Sequence, residues 1–226
     1  MKKYILLFTL LIAATLSRAQ VSLIPKAGVS FANVALDDDN FFNGDKKTLT
    51  GFTGGLGLNF ALTEDEFLSL QPELLYVQKG FAAESNGTTD YNLKYKLDYL
   101  ELPVLLNIGF GGDVVKGYVN FGPSIGYLLG GNVKGNGDFA EIVSGDIDKK
   151  IEFTDSETND PTKLHAQRLE FGANFGGGIG VALGSSSLLF LDARYNAGLT
   201  NYNKDSKSKN QPVYLTAGFK IPLTQR

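Results

Sequence analysis

Eight stretches of this chain alternate apolar and polar residues with a period of two, which makes each a strand with one greasy and one polar face. The first places Val21, Leu23, Pro25, Ala27, Val29 and Phe31 opposite Ser22, Lys26, Gly28 and Ser30. The second places Phe52, Leu56, Leu58, Phe60 and Leu62 opposite Gly51, Thr53, Gly55, Gly57 and Asn59. The third sets Leu68, Leu70, Pro72, Leu74 and Tyr76 against Ser69, Gln71, Glu73 and Lys79. The fourth sets Leu100, Leu102, Val104, Leu106 and Ile108 against Glu101, Pro103 and Asn107. The fifth runs from Val119 to Leu129, the sixth from Arg168 to Val181, the seventh from Leu189 to Gly198 and the last from Val213 to Leu223. The fourth is irregular upstream. Tyr95 and Leu97 carry apolar character on the wrong parity, so either a bulge sits near Asp98 or that part rises above the apolar zone.

Strands of about ten to fourteen residues follow from these patterns, joined by connections at 34–48, 63–66, 82–93, 109–117, 130–167, 183–187 and 200–210. Long connections alternate with short ones. An even number of such strands, with one elaborated end, predicts an all-β fold: an eight-stranded antiparallel up-and-down transmembrane β-barrel.

Alternation alone does not say whether the apolar face is a core or a lipid contact. A soluble periplasmic ligand-binding barrel would turn it inward around a cavity. Three features turn it outward. The polar face is rich in Gly, Ser, Asn and Thr, which suit a narrow interior. Charges of both signs share that face: Lys26, Glu73, Lys79, Glu101, Arg168, Glu170, Asp192, Arg194 and Lys220. Aromatic residues fall near strand ends, with Phe31, Tyr76, Tyr127, Phe171 and Tyr195 at one level and Phe60 and Phe219 at the other, as in interfacial girdles. A spanning sheet must close, because an open edge in hydrocarbon leaves backbone groups unpaired.

The N-terminus fits the same destination. Met1-Lys2-Lys3 is basic, Tyr4 to Leu16 is apolar and too short to span a bilayer, and Ser17-Arg18-Ala19 supplies small residues before Gln20. This predicts a secretory signal peptide over 1–19 and a barrel domain over 20–226. The chain has 27 Gly, no Cys and one His, with 21 Lys and Arg against 24 Asp and Glu. Without Cys there is no disulfide, thiolate zinc site or cysteine nucleophile. Without a basic excess, a nucleic-acid partner is not expected.

The residues resemble a family. Gln71-Pro72-Glu73-Leu74-Leu75-Tyr76 followed by Lys79-Gly80, then Tyr99-Leu100-Glu101-Leu102-Pro103, then Gly122-Pro123 followed by Gly126-Tyr127-Leu128, with Lys26-Ala27-Gly28 at the start, are similar to the PorT-like outer-membrane β-barrel proteins of Bacteroidetes. The resemblance implies a bacterial outer-membrane location, contact with outer-membrane lipid, and a link to protein secretion through the family's namesake. The last strand also resembles the signal read by the barrel-assembly machinery, with Thr216, Gly218, Ile221 and Leu223 in register, although Ile and Leu stand where aromatics are usual.

Candidate chemistry is sparse. Glu73 and Glu101 on adjacent strands form a possible carboxylate pair for acid–base work, but a salt-bridge network sealing the lumen, built from Lys26, Glu73, Glu101, Asp192, Arg194 and Lys220, accounts for the same residues. His165 near the top of the sixth strand is the one candidate for a lipid A-modifying enzyme, without a marked Ser or acidic orienter. Asp37-Asp38-Asp39 and the acids between 138 and 160 are loop carboxylates able to meet a divalent cation, though not at EF-hand spacing. The glycine runs at 54–57 and 176–180 lie inside strands and lack a following Lys-Ser/Thr, so they are not phosphate loops. The expected role is non-enzymatic, without a cofactor or metal. It is structural, or exercised on a protein partner at extracellular loops or periplasmic turns.

Overall fold

The computed structural model describes residues 20–36, 45–86, 90–139, 143–144, 146–156, 160, 162–183, 187–204 and 208–223. The proposed signal peptide, Asp37 to Asp39, Glu141 and Glu157 lie outside them, as do Gly87 and Thr88 of the Asn86-Gly87-Thr88 sequon.

Eight long strands carry the fold: β1 (Val21–Ala32), β2 (Leu49–Ala61), β3 (Leu68–Asn86), β4 (Asp90–Gly111), β5 (Val115–Phe139), β6 (Leu169–Leu183), β7 (Ser187–Gly198) and β8 (Val213–Pro222). Each pairs antiparallel with its neighbours in sequence, and the first pairs with the last, as in Lys26↔Gly218. The β5–β6 ladder, with Phe121 opposite Phe175, completes the ring. The barrel is therefore closed and up-and-down, with no edge among its eight strands. One end carries the short turns, the start of β1 and the end of β8. The other carries the long connections. These are called the turn end and the loop end below.

Parity decides burial along every strand. In β1, Ser22, Lys26 and Ser30 are buried while Val29 and Phe31 face out. In β7, Asp192, Arg194 and Asn196 are buried while Leu191 is 62% exposed. Leu56, Leu74, Leu102, Phe121, Ile125, Phe171, Phe175, Ile179, Leu215 and Phe219 extend the apolar surface around the whole wall. A water-soluble monomer does not expose so continuous a band. The polar face is the interior, and the soluble-barrel arrangement does not apply.

The strands depart from the expected lengths in one place. β3, β4 and β5 run for 19, 22 and 25 residues, so the stretch expected as a loop at 82–93 is a continuous ladder from Ala82↔Lys94 to Asn86↔Asp90. Part of the 130–167 connection belongs to the sheet as well: Gly130 to Phe139 continue β5, and Ile147–Lys150 pairs with it. At the flanks, Asp45–Lys47 adds to β3, and Val34–Leu36 pairs with Ser208–Asn210. These additions form an annex above the barrel.

The inverted parity of Tyr95 and Leu97 now has its reason. β4 keeps one unbroken parity, and it is the environment that inverts. Leu93, Tyr95, Leu97 and Tyr99 turn inward with Phe81, Leu128 and Val133 to make a hydrophobic core for the annex, which Ile147, Ile151, Leu164 and Tyr202 complete. A register shift accompanies the change, but the extra residue lies in the partner strand. Asp98 faces Gly130 and Tyr99 faces Leu128, leaving Leu129 as the bulge in β5. At the same level Gly80 takes φ 124°, and a Cβ there would lie 1.9 Å from the Tyr95 carbonyl oxygen, so this position in β3 requires glycine.

Candidate functional site

The interior-facing positions of the barrel wall hold two ionic clusters. The lower one joins β1, β3, β5 and β7. Lys26 Nζ lies 2.8 Å from Glu73 Oε1, and Arg194 Nη1 lies 2.7 Å from Glu73 Oε2. Asp192 Oδ1 stands 3.3 Å from Arg194 Nη2 and 4.0 Å from Lys26 Nζ. Tyr118 and Asn120 donate to Asp192 Oδ2 at 3.0 and 3.1 Å. Gln71 donates to Glu73 at 2.6 Å and accepts from Asn59 and Asn107 at 3.1 Å each. Two cations face two carboxylates, and all four are almost wholly out of solvent.

The upper cluster has one cation and two carboxylates. Lys79 Nζ lies 2.9 Å from Glu101 Oε2 and 2.6 Å from Glu170 Oε1. Neutral donors make up the balance. Tyr214 donates to Glu101 at 3.1 Å, Asn196 donates to it at 3.2 Å, and Asn210 donates to Glu170 at 2.5 Å. The Lys79 ammonium also lies 5.0 Å from the centre of the Tyr99 ring.

A third group sits at the turn end. Glu66 Oε2 accepts from Lys220 at 2.9 Å and from Lys116 at 3.3 Å. Partial burial works against the charge on Glu66, but Lys220 and then Lys116 outweigh it and hold the carboxyl below its ordinary value.

Of the residues that parity assigns to the lumen, Lys26, Glu73, Asp192 and Arg194 come together. Glu101 does not join them; its cation is Lys79. Lys220 lies at the rim with Glu66. Arg168 is exposed: its guanidinium sits 4.2 Å from the centre of the Phe153 ring, and it donates to the Tyr127 hydroxyl at 3.3 Å. Thr216 and Gly218 face the lumen, whereas Ile221 and Leu223 face outward. Glu73 and Glu101 therefore belong to different clusters, each with its own cation, and do not form one carboxylate pair. His165 is half-buried in the connection before β6, and its carbonyl accepts the Lys204 N–H at 3.0 Å. Among the described residues, no group of three His, Cys, Asp or Glu is placed to hold a metal ion.

Sequence reasoning put Lys79 and Glu170 on the interior face without linking them to Glu101. Asn210 carried no signal, because it falls in a connection with no alternation. Gln71, Asn196 and Tyr214 were visible as interior positions, but not as hydrogen-bond partners.

A closed eight-stranded barrel with a lipid-compatible wall and a polar interior is an outer-membrane β-barrel. The chain matches the family "Outer membrane protein beta-barrel domain" over residues 16–203 and belongs to it. Its location is the bacterial outer membrane, and its surroundings are outer-membrane lipid. No curated protein matches the chain. Among solved structures it is similar to the Neisserial surface protein A (15% identity, covering 89% of this chain and 97% of that one, TM-score 0.45). It is also similar to OprG of Pseudomonas aeruginosa (12%, 90% and 94%, 0.45). A third is Ail of Yersinia pestis, solved with the heparin analogue sucrose octasulfate (13%, 90% and 99%, 0.41).

Proposed function

We propose that this protein is a non-enzymatic outer-membrane barrel with a plugged lumen, acting structurally or on a partner through its loop-end annex. The observation that carries the reading is the pair of ionic clusters, whose side chains cross the interior from opposite walls and meet one another. The annex has its own apolar core, so it is a built surface rather than a set of linkers. Short turns are the rule on the periplasmic side of such barrels and long loops outside. The turn end and both termini are accordingly assigned to the periplasm, and the annex to the exterior.

The plug is tested in planar lipid bilayers. The wild-type protein should leave conductance at the baseline of the bare bilayer. A variant with Lys26→Ala, Glu73→Ala and Arg194→Ala, confirmed as folded, should conduct. Steady open channels from the wild type would overturn the plug.

A second reading, participation in protein secretion, follows from the PorT-like motifs around Gln71-Pro72-Glu73 and Tyr99-Leu100-Glu101. A deletion strain that secretes normally would remove it. The same reading takes residues 1–19 as a cleaved signal peptide, checked by N-terminal sequencing of the membrane-extracted protein. It takes Thr216, Gly218, Ile221 and Leu223 as contacts for the assembly machinery, checked by the membrane yield of strand-end variants. His165→Ala should leave lipid A unchanged.

A further inference from the structure

A cavity of about 320 Å³ occupies the barrel interior between the lower ionic cluster and the turn end. Its two sides differ. Ile24, Tyr118 and Phe190 present an apolar and aromatic wall. Asn59, Gln71 and Asn107 present amides on the other. The Gln71–Glu73 hydrogen bond ties the amide wall to the ionic plug, so the plug bounds the cavity on that side.

Glu66 lines the cavity at its turn end. It lies on the turn joining β2 to β3, yet one of its carboxylate oxygens meets Lys116 on β5 and Lys220 on β8. Those strands flank the β2–β3 hairpin, each with one strand between, so the carboxylate reaches over the lumen rather than along the wall. The turn holds Glu66 in an uncommon conformation. Its φ is 58°, the one positive value among the described non-glycine residues. Neighbouring bonds secure it: Leu68 N–H donates to Thr63 Oγ1 at 3.0 Å, and Phe67 N–H donates to Asp65 Oδ1 at 3.1 Å.

Two ammonium groups converging on one oxygen define a seat for an anion. The chain's own carboxylate occupies that seat, and an amphipathic cavity lies directly behind it. We propose that the turn end of the lumen is a binding pocket for a small carboxylate with a compact apolar body, and that Glu66 is a displaceable latch filling the carboxylate seat. The ligand's carboxylate would take the place of the Glu66 carboxylate on Lys116 and Lys220. Its body would lie against Phe190, Tyr118 and Ile24, with any polar edge toward the amides. Because the ionic plug closes the far side, the ligand enters and leaves by the same opening.

The test is calorimetric titration of the full-length detergent-solubilised protein with 3-phenylpropionate, its neutral amide and inorganic phosphate. Glu66→Gly removes the carboxylate and relaxes the backbone. It should bind 3-phenylpropionate at least tenfold more tightly than the wild type, and adding Lys116→Met and Lys220→Met should abolish that binding. The amide and phosphate should bind at least tenfold more weakly than the carboxylate. Should Glu66→Gly not assemble, Glu66→Gln keeps the side chain's shape without its charge and serves in its place. Equal binding by wild type and variant, equal binding of the amide, or equal binding of phosphate would each overturn the proposal, the last by showing a rim anion site with no use of the cavity. No binding of 3-phenylpropionate to any variant would overturn it as well.

Discussion

Arg194 is fully buried and meets both carboxylates of the lower cluster, Glu73 at 2.7 Å and Asp192 at 3.3 Å. Removing it leaves Lys26 as the one cation between them. Breaking a buried pair by deleting one partner typically costs about 3–5 kcal/mol, because the abandoned charge stays desolvated. Arg194→Met should lower folding stability by about that amount in urea titrations into lipid vesicles. Replacing the pair with apolar groups of similar size should cost far less, since the pair's attraction is offset by its own desolvation. The rim behaves differently, because Glu66 is only partly buried. Its carboxyl is lowered in the folded protein, so the unfolded chain takes up its proton first as pH falls. The latch's contribution is therefore complete above the ordinary value of 4.5 and is lost as pH drops through the lowered one. The stability difference between wild type and Glu66→Gln should be constant from neutral pH to about 5 and vanish below the folded value. A difference that grows on acidification would contradict the ion pairs.

The annex and the barrel are two packing regimes on the same strands. In the wall of β4, even positions such as Leu100 and Leu102 face out and Glu101 faces in. Further upstream in the same strand, Lys94 is exposed and Leu93 and Tyr95 are inside. Strand parity is conserved while the polarity of the surroundings changes from lipid to water, and the sequence follows. Leu97, with no exposed surface, lies in the annex core. Leu97→Ala should cost about 2–5 kcal/mol locally. Hydrogen exchange should rise in Phe81 to Tyr95 and in Val133, while the amides around Glu73 and Arg194 stay protected. Exchange spreading through the whole barrel would mean that the annex is not a separate unit.

At the scale of the whole molecule, lipid replaces the hydrophobic core. Around the barrel wall most large apolar side chains lie outside, and the two ionic clusters with their hydrogen bonds cross the interior. Leu191 sits mid-strand in β7 and is 62% exposed. In water, an Arg there would be harmless. In a bilayer, it should cost about 2–4 kcal/mol, measured as the shift in the urea-dependent refolding equilibrium of Leu191→Arg in vesicles. Little or no shift would place this wall away from hydrocarbon.

Parity is local: successive side chains on a strand must point to opposite faces, so one chain read alone reveals which residues are inside, how many strands there are, and that the wall suits lipid. The strand count, the closed up-and-down order and the interior position of Lys26, Glu73, Asp192 and Arg194 all follow from it. Height along the barrel axis is not local. It depends on strand tilt and on the stagger between neighbours, which the ladders set jointly only once the ring closes. That is why Glu101 shares Lys79 with Glu170 rather than meeting Arg194, and why Lys220 meets Glu66 at the rim. It is also why much of the connection expected at 82–93, and the first part of the one expected at 130–167, proved to be strand around an apolar core of its own. Tertiary structure decided which charges meet, where the interior changes from polar to apolar, and that an amphipathic cavity lies behind Glu66, because each requires residues distant in sequence to share one level of a closed, staggered sheet.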